Sequence, residues 1–200
     1  MEVRFVVNRV FNSCSYVVTQ GSSSWLVDCG DVQEILSLVT GSLSGVLLTH
    51  SHFDHIYGLN RLLGLFPQLP VFTNQAGREG LLSDKLNLSR YHEEPFVLDK
   101  PGNIQVVEDG QQVALFDGIN ARAVFTPGHS PSCVTWLIGN AVFSGDSFIP
   151  GVKTVTNFPH ADKQLAAQSE VCIRRMATGR EIYAGHAPQL IENEKNNCII

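Results

Sequence analysis

The N-terminus alternates polar and apolar residues like a strand, and residues 2–8, 14–20 and 24–28 read as three short strands. Asn12-Ser13 and Gly21-Ser22-Ser23 supply the turns between them. The pattern then changes period. Val32, Ile35, Leu36 and Val39 recur at helical spacing, and Asp31 with Glu34 three residues on reads as a capping box. Residues 45–49 form an apolar run that predicts a buried strand. A helix is expected from Asp54 to Leu63, with Ile56, Leu59, Leu62 and Leu63 facing inward. Residues 70–73 read as a strand, and residues 75–91 as a weakly patterned helix. From 96 to 145 the chain returns to strands, broken at Asp109-Gly110, Asp117-Gly118, Pro127-Gly128 and Gly139-Asn140. Leu165, Ala166, Val171, Ile173 and Met176 mark a last helix over 162–177, and residues 181–184 a closing strand. This order fits an α+β architecture, with mixed sheets and helices packed outside them, better than a doubly wound parallel sheet.

Composition narrows the class. The 200 residues suit one domain with a sizeable core, and we expect residues 1–200 to form a single domain. The formal charge is −5, from 14 basic and 19 acidic residues, and no basic cluster stands out, so nucleic acid is not an expected partner. No apolar run approaches bilayer length, and the N-terminus lacks the apolar core of a signal peptide, so neither a membrane nor export is expected. Cys14, Cys29, Cys133, Cys172 and Cys198 are odd in number and widely spaced, which reads as free thiols in a reducing cytoplasm. Cys198, with two residues after it, is misplaced for prenylation.

The candidate chemistry starts at Thr49-His50-Ser51-His52-Phe53-Asp54-His55, directly after the apolar run. In extended chain His50 and His52 point the same way and can reach one ion together. Asp54 and His55 follow where the chain turns. Imidazole and carboxylate suit zinc, iron or manganese. A single loop histidine is usually a surface residue, but four ligand-type residues in six positions after a buried strand are hard to read that way. Among the other histidines, His129 lies in Thr-Pro-Gly-His and His186 in Ala-Gly-His-Ala-Pro, each where a turn presents the ring at a sheet end. Asp146, in Ser-Gly-Asp-Ser, occupies the same kind of place and could bridge two cations.

Thr-His-x-His-x-Asp-His at 49–55, Thr-Pro-Gly-His at 126–129, Gly-Asp at 145–146 and Gly-His at 185–186 together make the chain resemble the metallo-β-lactamase-fold hydrolase superfamily. Within it, the chain is most similar to short glyoxalase II-like hydrolases. The resemblance implies a four-layer αββα sandwich with the site between two β-sheets. It implies that His50, His52 and His129 hold one divalent metal, that Asp54, His55 and His186 hold a second, and that Asp146 bridges them. Zinc is the expected metal, with iron or manganese as substitutes. Leu26-Val27-Asp28-x-Gly30 also matches the family, which makes Asp28 a supporting group near the metals. The expected activity is attack of a metal-activated water on a thioester or related ester of a small molecule, with Asp54 as catalytic residue orienting the water or passing a proton. The rivals are a mononuclear iron persulfide dioxygenase and a phosphodiesterase of the same fold. The bridging aspartate and the lack of a signal peptide speak against an antibiotic-hydrolysing role.

The chain also departs from its relatives. Ser130-Pro131-Ser132 replaces a common Thr-Pro-Gly, and residues 150–159 hold one glycine and no arginine. With 14 residues after His186, the helical glutathione-binding domain of full-length glyoxalase II is not expected. Lys153 and His160 lie in the loop after Asp146 and are candidate substrate contacts. His92 reads as a surface residue, and Trp25 and Trp136 as packing residues. Oligomeric state stays open.

Overall fold

The computed structural model describes residues 1–187. Cys198 lies outside them. Two sheets face each other. The first runs β1 (Glu2–Val7), β2 (Cys14–Gln20), β3 (Ser23–Val27), β4 (Ser42–Leu47), β5 (Val71–Thr73) and β6 (Ile104–Val106) side by side in that order. Its first three strands are antiparallel, and the last four run parallel to one another. The second sheet is built from β7 (Gln112–Phe116), β8 (Ile119–Phe125), β9 (Val134–Ile138), β10 (Ala141–Gly145) and β11 (Glu181–Ala184), in the order β11-β10-β9-β8-β7. Both sheets are thus mixed, because β11 joins β10 in parallel after a helical crossover.

The two-residue period of the strands sorts their side chains into layers. Tyr16, Val18, Trp25, Val27 and Leu47 point from the first sheet into a core shared with Ala121, Ala123, Val134, Trp136 and Phe143 of the second. Their neighbours Val17, Leu26, Val46 and Val71 point the other way. They pack under α1 (Val32–Leu38), α2 (Leu59–Leu65) and α3 (Gln75–Leu81) through Ile35, Leu59, Leu62, Leu63 and Leu81. On the far side, Val142 meets Ile173 of α4 (Lys163–Met176). With both faces covered, β2, β3 and β10 are buried almost throughout. The result is the expected αββα sandwich. Trp25 and Trp136 are packing residues as expected, and each indole N–H donates to a backbone carbonyl, of Leu115 at 3.0 Å and of Leu48 at 2.8 Å.

Several elements differ from the sequence reading. Asp31 does not close a capping box. Its carboxylate accepts from the Arg9 backbone N–H at 2.8 Å and from Arg9 Nε at 2.9 Å, so it cannot serve the α1 amides. The helix expected from Asp54 is a single 3-10 turn over Phe53–His55, and α2 begins only at Leu59. The helix expected to run to residue 91 stops at Leu81, because polar side chains capture the backbone beyond it. Asn87 Nδ2 donates to the carbonyls of Gly80 and Phe96, and Ser89 N–H donates to Asn87 Oδ1. The strands expected from residue 96 start at Ile104, after a Pro101-led turn. In α4, Asp162 caps the helix by accepting from Gln164 and Leu165 N–H, while Leu165 and Val171, placed on the apolar face by periodicity, are exposed and Ala166, Ser169 and Ile173 are buried.

A candidate metal centre at the sheet edges

The end of β4 delivers His50 and His52 to the seam between the sheets. The 3-10 turn that follows turns Asp54 and His55 back toward the same point. His129 comes from the β8–β9 connection, Asp146 from the end of β10 and His186 from just past β11. All seven side chains expected to act together meet there. The potential ligand atoms of His50, His52 and His129 lie within 4.8 Å of one another, as do those of Asp54, His55 and His186. Asp146 lies between the two groups. Its Oδ2 is 3.5 Å from His129 Nε2 and 3.3 Å from His186 Nε2, and its Oδ1 is 3.5 Å from His55 Nε2. Asp54 Oδ2 lies 3.3 Å from both His55 Nε2 and His186 Nε2.

Which nitrogen each ring turns inward follows from what holds its other nitrogen. The Nδ1–H groups of His129 and His186 donate to the carbonyls of Val155 at 2.8 Å and Phe11 at 2.9 Å. His55 Nδ1–H donates to Asp28 Oδ2 at 2.9 Å. The Thr49 hydroxyl gives its proton to the same Asp28 oxygen at 2.6 Å, which leaves it to accept from His50 Nδ1 at 3.2 Å. Asp28 therefore orients two rings, one directly and one through Thr49. Its own backbone sits at φ +60°, a left-handed conformation that only the surrounding structure sustains. All four of these rings present Nε2 to the centre, and His52 presents Nδ1, 2.9 Å from His129 Nε2. Close approach also requires Gly185, where a Cβ would stand 1.9 Å from Asp146 Oδ1.

The residues fit a divalent cation. The buried atoms His50 Nε2, His55 Nε2 and Asp146 Oδ1 have no hydrogen-bond partner, although each faces the centre. Leaving such groups unsatisfied is costly unless something else ligates them. For bonds of about 2.05 Å, the edge of a tetrahedral zinc site is roughly 3.3 Å, which the 3.3–3.5 Å carboxylate-to-imidazole spacings match. Electrostatics agree with the donor set. Burial, helped by neighbouring imidazoles, pushes His50 and His52 down, His52 to about 3, so both are neutral and have lone pairs to give. Burial opposes charge at Asp54 and Asp146 too, but His55 and His186 outweigh it and hold both carboxyls well below the usual range. The same carboxylates overcome the burial of His186 and raise it to about 10, and they raise His55 as well.

A cavity of about 560 Å³ opens over the cluster. His52, Asp54, His129, Asp146 and His186 line its floor, and Lys153 stands at its side. His160 lines a separate, smaller hollow beside Ser51 and Ser132. His92 departs from expectation. It is half-buried in the wall of the larger cavity, with its ring 4.4 Å from that of Phe53. Phe11 and Phe158 also line the cavity and had no signal in the sequence, since isolated loop phenylalanines carry no period. Cys14, Cys29 and Cys133 are buried free thiols.

Two facing sheets wrapped in helices, with a histidine and carboxylate cluster at one edge, define an αββα sandwich with a candidate metal site. The chain belongs to the Metallo-beta-lactamase superfamily, whose family model matches residues 8–186. It is 30% identical to an atrochrysone carboxyl ACP thioesterase of Aspergillus fumigatus over 68% of this chain, a match that spans 39% of that protein's length. It is 26% identical to a probable metallo-hydrolase of Streptococcus pyogenes serotype M6, covering 98% of this chain and 88% of that one. A hydroxyacylglutathione hydrolase of Shewanella halifaxensis is 29% identical over 66% of this chain and 45% of its own length. Among solved structures, a B3 metallo-beta-lactamase superposes with a TM-score of 0.82 at 23% identity, covering 94% of this chain and 92% of that one. A protein crystallised in a di-iron-bound form superposes at 0.73 and 25% identity, with 92% of each chain covered. The chain thus carries the superfamily's fold together with a histidine and carboxylate cluster that could hold divalent metal. No helix among the described residues is long and apolar enough to cross a membrane.

Proposed function

We propose that the protein is a dinuclear metal-dependent hydrolase that cleaves a thioester or related activated ester of a small molecule. The observation that carries this reading is the convergence of three unpartnered buried ligand atoms, on His50, His55 and Asp146, within a seven-residue cluster at the floor of an open cavity. His50, His52 and His129 would hold one cation and Asp54, His55 and His186 the other, with Asp146 spanning both. Zinc is the metal these ligands suit first, with iron or manganese in its place. Bound there, the pair would supply Lewis acidity and a water acidified to near neutral pH.

The chain's own groups divide the remaining work. Asp28, Thr49 and the carbonyls of Phe11 and Val155 fix which ring nitrogen faces inward. Asp54 is the catalytic carboxylate: it would accept a hydrogen bond from the attacking water, orient it and take its proton. A departing thiolate needs little acid assistance, since thiols are acidic compared with alcohols. The names of the thioesterase and hydroxyacylglutathione hydrolase relatives support this substrate class. The free, unpaired cysteines fit a reducing, cytoplasmic setting.

The test combines metal analysis with a panel of thioester, lactone, β-lactam and phosphodiester substrates. We expect two metal equivalents per chain and turnover of thioesters, and we expect Asp146→Ala to lose both metal and activity while remaining folded. A single iron per chain with oxygen consumed on a thiol persulfide would replace this reading with a dioxygenase. Turnover confined to phosphodiesters would also overturn it.

A further inference from the structure

We infer that the substrate of this site carries a bulky apolar acyl group, rather than a small polar one. This rests on the ester-hydrolase reading above. Above its polar floor the cavity wall is mostly apolar, with His92 and Lys153 its polar members. On one side Phe11 meets His92 edge-on at 6.0 Å, and His92 lies against Phe53 at 4.4 Å, which makes a continuous ring surface. On the other side the Phe158 ring stands edge-on to the rings of His52 and His129, at 5.4 and 5.6 Å, so apolar wall and candidate ligands are in direct contact. Ile149, Val152 and Val155 continue that wall.

Exposure sharpens the point. Phe11 is 59% exposed, Val155 45% and Phe158 39%, and all three face this one opening. Apolar surface left open around a concave site marks a binding face. Phe11 is held there by a left-handed backbone, φ +52°, while its carbonyl anchors His186. One residue therefore fixes a candidate ligand and forms the rim. Size agrees as well. At roughly 30 Å³ for each water-sized group, 560 Å³ holds about nineteen such groups. A two- or three-carbon acyl group would leave most of that wall wet. A medium-chain or aromatic acyl group would cover it.

The experiment uses the metal-loaded protein and acyl thioesters of one common thiol, from acetyl through butanoyl and hexanoyl to octanoyl, with benzoyl as the aromatic member. We expect kcat/KM to climb about fourfold for each buried methylene, at the transfer value of ~0.8 kcal/mol. Phe158→Ala should flatten that slope. In parallel, calorimetry measures binding of acetate, hexanoate, octanoate and benzoate to the same metal-loaded protein, a readout that needs no turnover. Affinity should follow the same order. A slope near zero, or a preference for acetyl, in both measurements overturns the inference. If no thioester is cleaved but the carboxylates bind in the expected order, the apolar pocket stands and the thioesterase reading falls.

Discussion

Asp28→Asn isolates the orienting role of one buried carboxylate. Asp28 is 1% exposed and accepts from Thr49 N–H at 2.7 Å, the Thr49 hydroxyl at 2.6 Å and His55 Nδ1–H at 2.9 Å. Asparagine has the same shape and tolerates the left-handed backbone required here. Its amide, however, offers one acceptor where the carboxylate has two. If the oxygen stays on Thr49 N–H, the NH₂ group faces the Thr49 hydroxyl and His55 Nδ1. His55 must then accept at Nδ1 and carry its proton on Nε2, which removes the inward lone pair. The Thr49 hydroxyl loses its acceptor too, and with it the hold on His50. Losing such a supporting partner weakens metal affinity about 10–100-fold, or roughly 1.4–2.7 kcal/mol at 1.36 kcal/mol per factor of ten. The two charge-assisted bonds lost at His55 and Thr49 are worth roughly 1.5–3 kcal/mol each, so the metal-free variant should also melt lower. Competition with a chromophoric chelator gives the affinity, and circular dichroism shows whether the variant is folded. A folded Asp28→Asn protein that binds metal as tightly as the parent would refute the tautomer argument.

Further outcomes follow from other parts of the molecule. Gly185→Ala places a methyl against Asp146 Oδ1 and 2.9 Å from the Gly145 backbone carbonyl carbon, so it should cost metal affinity and lower the metal-free melting temperature as well, both read by calorimetry. Trp136→Phe leaves the buried Leu48 carbonyl without its donor, at a cost of about 1–3 kcal/mol, measurable by urea denaturation. In the metal-free protein His55 and His186 are raised, His186 to about 10, so their ion pairs stabilise it fully below the ordinary histidine range and are lost as pH rises through the raised values. Metal must expel those protons. Uptake at pH 7.5 should release protons, seen as a buffer-dependent heat in calorimetry, and affinity should weaken as pH falls.

The clustering of the candidate ligands was legible for a physical reason. A buried strand that ends in alternating histidines can only present them on one face, and histidines or aspartates in glycine- and proline-bound turns are fixed at sheet ends. The sandwich was legible for a similar reason, since period-two and period-3.6 runs sort themselves between sheets and outer helices. What stayed hidden depends on distant partners. Asp31 looked like a helix cap until Arg9, 22 residues before it, claimed both carboxylate oxygens. Residues 82–91 have helix-like composition, but the Asn87 side chain stitches them to Phe96 and Gly80 instead. His92, with acidic neighbours, carried every mark of a surface residue, and only the fold brings it against Phe53.

The candidate ligands come from both sheets, and that has a mechanical consequence. His50, His52, Asp54 and His55 hang from the first sheet, while His129, Asp146 and His186 hang from the second. A cation held there would be a cross-link between two halves of the molecule. His52 and His129, for example, are 77 residues apart along the chain. By the chain-entropy rule for disulfides, tying a loop of that length removes about 4.5 kcal/mol of freedom from the unfolded chain. Loading the site therefore does more than arm it. It would rivet the sandwich shut at the edge where Trp136 and Val134 already donate to Leu48 and Thr49 across the seam. A chelator should thus lower resistance to proteolysis of the whole sandwich as well as remove activity.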